Sequence, residues 1–122
     1  MGYSLDHVQL AMPAGREEQA RAFYRDLVGL EELVKPEQLR SRGGVWFSLG
    51  AQQLHLGVEE GFRPARKAHP AIRCGDLEEL SRRLLDSGFQ LEWDANLPGE
   101  TRFYTHDPFG NRLEFLDTPA DL

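Results

Sequence analysis

The stretch LDHVQLAM, residues 5–12, alternates apolar and polar positions. As a strand it puts Val8, Leu10 and Met12 on one face and His7, Gln9 and Ala11 on the other. After the PAG break the spacing turns helical: in REEQARAFYRDLVGL, 16–30, the residues Ala20, Phe23, Leu27 and Leu30 form one stripe, and Gly29 closes the helix. Three short strands follow, EELVK (31–35), GVWFSLG (44–50) and QQLHLGV (52–58). A stretch rich in Gly, Pro and charge then reads as a linker, about 59–68. Beyond it the order returns: HPAIRC (69–74) as a strand, DLEELSRRLLDSGF (76–89) as a helix with a Leu77, Leu80 and Leu84 stripe, and three more strands in QLEWDA, TRFYTH and NRLEFLD.

The two halves keep step. His7 and His69 open the first strand of each half, 62 residues apart; Gly29 and Gly88 end each helix, 59 apart. His55 and Glu114 sit in the last strands, again 59 apart, inside the matching triplets LHL and LEF. The pattern is β-α-β-β-β twice. Three strands in a row after a single helix argue against an alternating wound sheet. The expected architecture is α+β, a single domain over 1–122. Its two modules, about 4–58 and 69–117, each form a curved, mostly antiparallel sheet with a helix on one face, and their other faces enclose a shared cavity.

Strand parity assigns the polar residues to that second face. His7 and Gln9 lie opposite the apolar set of the first strand, and His69 and Arg73 lie opposite Ile72 and Cys74. His55 lies opposite Leu54 and Leu56, and Glu114 opposite Leu113 and Phe115. His7, His55, His69 and Glu114 therefore share a face in equivalent strands. If a pseudo-twofold relates the modules, they converge on one point, and imidazoles with a carboxylate there suit a divalent first-row metal such as Fe, Mn, Ni or Zn. A cation would offset the cost of an ionised Glu114 in an apolar strand; pairing with Arg112, Arg102 or Arg73 would do the same. Arg102 and Tyr104 share the parity of that face and join Gln9 and Arg73 as candidate substrate-binding residues, with Trp46 and Ser48 as lining. His106 reads as a loop residue beside the DPFGN turn, and Cys74 as a buried, inert thiol.

Net charge narrows the partners. With 14 Lys and Arg against 20 Asp and Glu, the chain carries −6 and has no basic run, so neither nucleic acid nor an anionic membrane is expected. A single cysteine excludes an intrachain disulfide. There is no leader-like opening and no apolar run of bilayer length, which gives the expectation of a cytoplasmic protein.

The repeated order, LDHVQLAM at the start, AFYRDLVGLE in the first helix and DPFGNRLEFLD at the end resemble the vicinal oxygen chelate superfamily. That group includes glyoxalase I, fosfomycin-resistance thiol transferases, extradiol dioxygenases and bleomycin-binding proteins. The resemblance implies a divalent ion held by His7, His69 and Glu114, and a homodimer. At position 55 glyoxalase I-like members carry Glu as ligand and base; here His55 would be the fourth ligand or the base. The resemblance thus implies a metal-dependent glyoxalase-like enzyme, with His55 and Glu114 as catalytic groups and a small substrate that chelates through neighbouring oxygens. The alternatives it leaves are an extradiol-type dioxygenase, a fosfomycin-type thiol transferase, and a non-catalytic antibiotic-binding protein of the bleomycin-resistance type.

Overall fold

A computed structural model describes residues 1–118. They fall into two compact units, Met1–Pro64 and a second beginning at Ala65. Each unit holds one four-stranded mixed sheet, and the fold is α+β.

In the first unit the strands are β1 (His7–Met12), β2 (Glu32–Leu33), β3 (Val45–Leu49) and β4 (Gln52–Val58), ordered β1-β4-β3-β2. β1 runs parallel to β4, and the other two pairings are antiparallel. Helix α1 (Glu17–Ala20) continues as a π-helical segment, Arg21–Leu27. Its N–H groups reach back five residues, as in Val28 N to Phe23 O at 2.9 Å. The extra residue in that turn alters the expected stripe. Ala20 and Phe23 are buried as anticipated, but Tyr24 joins them, while Leu27 and Leu30 stay half-buried. Tyr24 packs on Phe47 of β3 at 5.5 Å, so the helix covers the sheet face that carries Leu54 and Leu56. Burying one such side chain stabilises by roughly 1.5–3 kcal/mol.

The second unit contains β5 (Ala71–Cys74), α3 (Leu77–Asp86), β6 (Glu92–Asp94), β7 (Arg102–His106) and β8 (Arg112–Asp117), ordered β5-β8-β7-β6. Asp76 caps α3 by accepting from the Glu79 amide at 3.1 Å. Leu77, Leu80 and Leu84 are buried, and Gly88 ends the helix at φ +89°. Again the parallel pairing, β5 with β8, sits at one edge.

The register repeats as well as the order. Gln9 pairs with His55 in the first unit, and Ala71 pairs with Glu114 in the second. Those partners are offset by the same 62 and 59 residues that separate the histidines and the last-strand residues in sequence. Between β2 and β3 a short helix, α2 (Glu37–Arg40), occupies a segment without periodicity. Cys74 is half-buried rather than buried, because β5 is an edge strand and its last residue has a neighbour on one side only. No helix among the described residues is long and apolar enough to cross a membrane.

Candidate functional site

On the first sheet the face opposite the helix carries an aromatic stack. Trp46 is paired directly with His55 across β3 and β4, and their rings lie 3.9 Å apart at 2°. His7 lies on the other side of His55, 4.3 Å away at 16°. The stack leaves His55 only 4% exposed. Burial holds its pKa below the ordinary imidazole value. Proximity to the His7 ring and, less strongly, to the Lys35 cation pushes the same way, against Asp6. The His55 Nε2 meets Gln53 Oε1 at 2.8 Å. The more exposed His7 has its Nδ1 2.8 Å from Asp6 Oδ2. An Nδ1–H donated to that carboxylate leaves the His7 Nε2 lone pair free.

The equivalent face of the second sheet is charged. Glu114 is 5% exposed and accepts from both sides. Its Oε1 is 2.9 Å from His69 Nε2, and its Oε2 is 3.1 Å from Arg102 Nη1. Arg102 reaches Asp94 with its other terminal nitrogen at 3.2 Å, while its Nε is buried without a hydrogen-bond partner. Burial opposes the Arg102 charge, but Glu114, Tyr104 and Asp94 together outweigh it and raise its pKa. Tyr104 lies edge-on to His69 at 5.4 Å and under the Arg112 guanidinium at 4.3 Å.

His69 lies just before β5 rather than inside it, since the ladder starts at Ala71. Its Nδ1 is 2.8 Å from the Lys67 carbonyl, a partner that can only accept. In a neutral ring the Nδ1 therefore carries the proton, and the Nε2 lone pair faces the Glu114 carboxylate. Two such groups at 2.9 Å repel unless a proton or a cation lies between them.

The remaining sequence candidates are also placed. Gln9 is exposed and lies across Gly57. Arg73 is exposed and committed to Glu100 at 3.0 Å and to the Asp117 carbonyl at 2.8 Å. Arg73 beside Glu100 lowers that carboxyl's pKa, and Glu100 in turn raises that of Arg73. His106 is the exposed last residue of β7. The turn after it is built on Asp107, which is buried and accepts from the amides of Phe109 and Asn111 and from the Asn111 side chain, each at 2.9 Å. That turn fixes the start of β8 and with it the position of Glu114. Within either unit, no three His, Cys, Asp or Glu side chains of the described residues gather at metal-holding distance. Each unit presents a pair.

Residues 4–115 match the sequence profile of the glyoxalase/bleomycin resistance protein/dioxygenase superfamily. The chain belongs to that superfamily. The match includes His7, His55, His69 and Glu114. Among solved structures, a glyoxalase family protein from Bacillus anthracis is 46% identical over 98% of both chains, with a TM-score of 0.92. A lactoylglutathione lyase from Agrobacterium tumefaciens is 23% identical over 95% of this chain and 94% of that one, TM-score 0.71. The genomically encoded fosfomycin resistance protein FosX from Listeria monocytogenes is 14% identical over 99% and 98%, TM-score 0.76. The last two likenesses are of fold. No curated protein sequence matches the chain. Within the superfamily frame, the partners that sequence reasoning missed are Asp6, Asp94, Glu100 and the Lys67 carbonyl. Only Asp6, adjacent to His7, left a signal.

Proposed function

We propose that this protein is a metal-dependent, glyoxalase-like enzyme of the lyase or isomerase type, acting on a small substrate that chelates through neighbouring oxygens. The observation that carries the reading is the placement of the His69 ring between a carbonyl and a carboxylate. Its Nδ1 is tied to a carbonyl and its Nε2 is aimed at a buried carboxylate. Ligating histidines are commonly oriented in this way, with the second ring nitrogen donating to a carbonyl or carboxylate. Two donors each about 2.1 Å from one ion stand roughly 3.0–3.4 Å apart, depending on the angle between them. The pair at 2.9 Å is close to that spacing. His7 shows the same preparation, its Nδ1 on Asp6. The donor set fits a first-row divalent ion.

In this reading His7, His69 and Glu114 hold the ion, with His55 as the fourth ligand or the base. When bound, the ion polarises substrate oxygens as a Lewis acid. The chain's own groups do the rest. Burial disfavours the charged form of His55, which suits the ring to take a proton from substrate. Arg102 orients Glu114. Gln9 and Tyr104 are each candidates for contact with the substrate. A dioxygenase or a thiol transferase would use the same three ligands.

A second reading is favoured by one contact. Arg102 already balances the Glu114 charge, so the same sheet face suits a non-catalytic binding protein with no ion at all. Crystals soaked in Mn, Fe(II), Ni or Zn and measured at the absorption edge of each decide between the two. An anomalous peak beside His69 Nε2 and Glu114 is expected. Difference density free of anomalous signal in all four soaks would leave the binding protein.

A further inference from the structure

We infer that the first unit contains a binding site for a small organic anion with a flat apolar body, its charge taken by Lys35 and Arg42 and its body laid against Trp46. A cavity of about 270 Å³ lies entirely within Met1–Pro64 and is lined by Gln9, Lys35, Leu39, Arg42, Trp46 and Gly57, among others. That volume is near the lower end for ligand pockets and suits a molecule of one ring or a short chain.

Its charge runs against the rest of the protein. The chain carries −6, yet the cavity is lined by two cations and by no carboxylate. Glu17 stands beside Gly43, but its Oε2 already accepts from the Gly44 amide at 2.9 Å. The Arg42 side chain has no partner among the described residues. Lys35 donates to the Gly43 carbonyl, which ties it to the loop that bears Arg42 and leaves two of its three donors free. Two cations without an acid are the arrangement that binds a carboxylate through charge-assisted hydrogen bonds.

The walls fit the rest of such a ligand. One face of the Trp46 indole is covered by His55, and Trp46 lines the cavity together with Leu39. Gly57 forms the floor on β4. A Cβ there would stand 2.7 Å from Gln9 Nε2, so the missing side chain is what leaves room for the Gln9 amide over Gly57, and Gln9 lines the cavity. Gln9, Trp46 and Gly57 share the sheet face of His55, so a bound anion would lie on the side of the imidazole stack. As a statement about the enzyme's substrate this rests on the metal-dependent reading above; as a statement about binding it stands on the first unit alone.

The test uses the full chain kept in chelator, with benzoate as probe and benzamide as its uncharged counterpart, by calorimetry. Benzoate should bind saturably without metal and at least about tenfold more tightly than benzamide. Arg42→Ala, which removes an exposed and unpartnered side chain, should weaken benzoate about tenfold and leave benzamide unchanged. Lys35→Met should do the same, and Arg63→Ala, an exposed cation outside this cavity, should do neither. Equal affinity for the two probes, no saturable benzoate binding, binding that needs added metal, or an Arg42→Ala protein that binds benzoate as wild type would each overturn the proposal. A failure of the metal reading shows instead as no bound ion, with the benzoate result intact.

Discussion

His69 Nε2 lies 2.9 Å from Glu114 Oε1, while the other nitrogen of the same ring is held 2.8 Å from the Lys67 carbonyl. Glu114 pairs across the ladder with Ala71, so His69 stands two residues ahead of its carboxylate's strand partner. His7 stands in the same relation to His55, whose partner is Gln9. One diagonal contact is thus built twice, as a ring stack in the first unit and as an imidazole–carboxylate contact in the second.

In the proposed metal site, Arg102 and the ion would compete for the charge of Glu114. Arg102→Met should therefore destabilise the metal-free protein by about 2–4 kcal/mol, because it leaves a buried carboxylate without its cation. Added Ni or Zn should restore more stability to the variant than to wild type. Urea unfolding with chelator and with metal measures both numbers. An equal metal-induced gain in the two proteins would show that Arg102 and the ion do not share Glu114.

The Asp107 turn should be a stability hot point well away from the chemistry. Asp107→Ala removes three 2.9 Å hydrogen bonds in a buried site and should cost about 2–4 kcal/mol in chemical denaturation. Asp107→Asn, which keeps one acceptor oxygen, should cost less. Equal losses for the two would mean that the carboxylate's second oxygen carries the turn.

Gly44 and Gly57 should respond in opposite ways to alanine. At Gly44, φ is +85° and a Cβ would stand 2.1 Å from the Leu56 carbonyl oxygen, backbone that cannot yield without breaking the pairing of β3 with β4. Gly44→Ala should cost roughly 3 kcal/mol or more. At Gly57 the obstacle is only the mobile end of Gln9, so Gly57→Ala should change stability by less than about 1 kcal/mol. Thermal melts of the two variants check the contrast.

Much of the fold was legible because period-2 and helical spacing report which face a residue takes. QQLHLGV was read as a strand over the same seven residues the structure shows, and the Leu77, Leu80 and Leu84 stripe fixed α3. The π-helical turn was not legible, since a four-to-five residue shift leaves the apolar pattern nearly unchanged and becomes visible only in the burial of Tyr24. The four residues of α2 are too few to show a period. EELVK, read as a five-residue strand, shrinks to Glu32–Leu33, and exposed Val34 shows that its apolar character was not a sign of burial. In the candidate site, parity placed His55 and Glu114 opposite the helices but could not choose among three arginines for Glu114. That choice depends on cross-strand register. Arg102 pairs with Leu116 and so lies diagonal to Glu114, while Arg73 is held by Glu100 and Arg112 lies over Tyr104.

The central claim is that His7, His69 and Glu114 together hold one divalent ion. It is tested most directly by metal titration of chelator-stripped protein, comparing wild type with His7→Ala and Glu114→Gln. The account predicts one ion per chain in wild type and an affinity lower by at least about a hundredfold in both variants, with folding preserved by circular dichroism. Wild-type protein that takes up no stoichiometric ion, or variants from both units that bind it as tightly as wild type does, would contradict it.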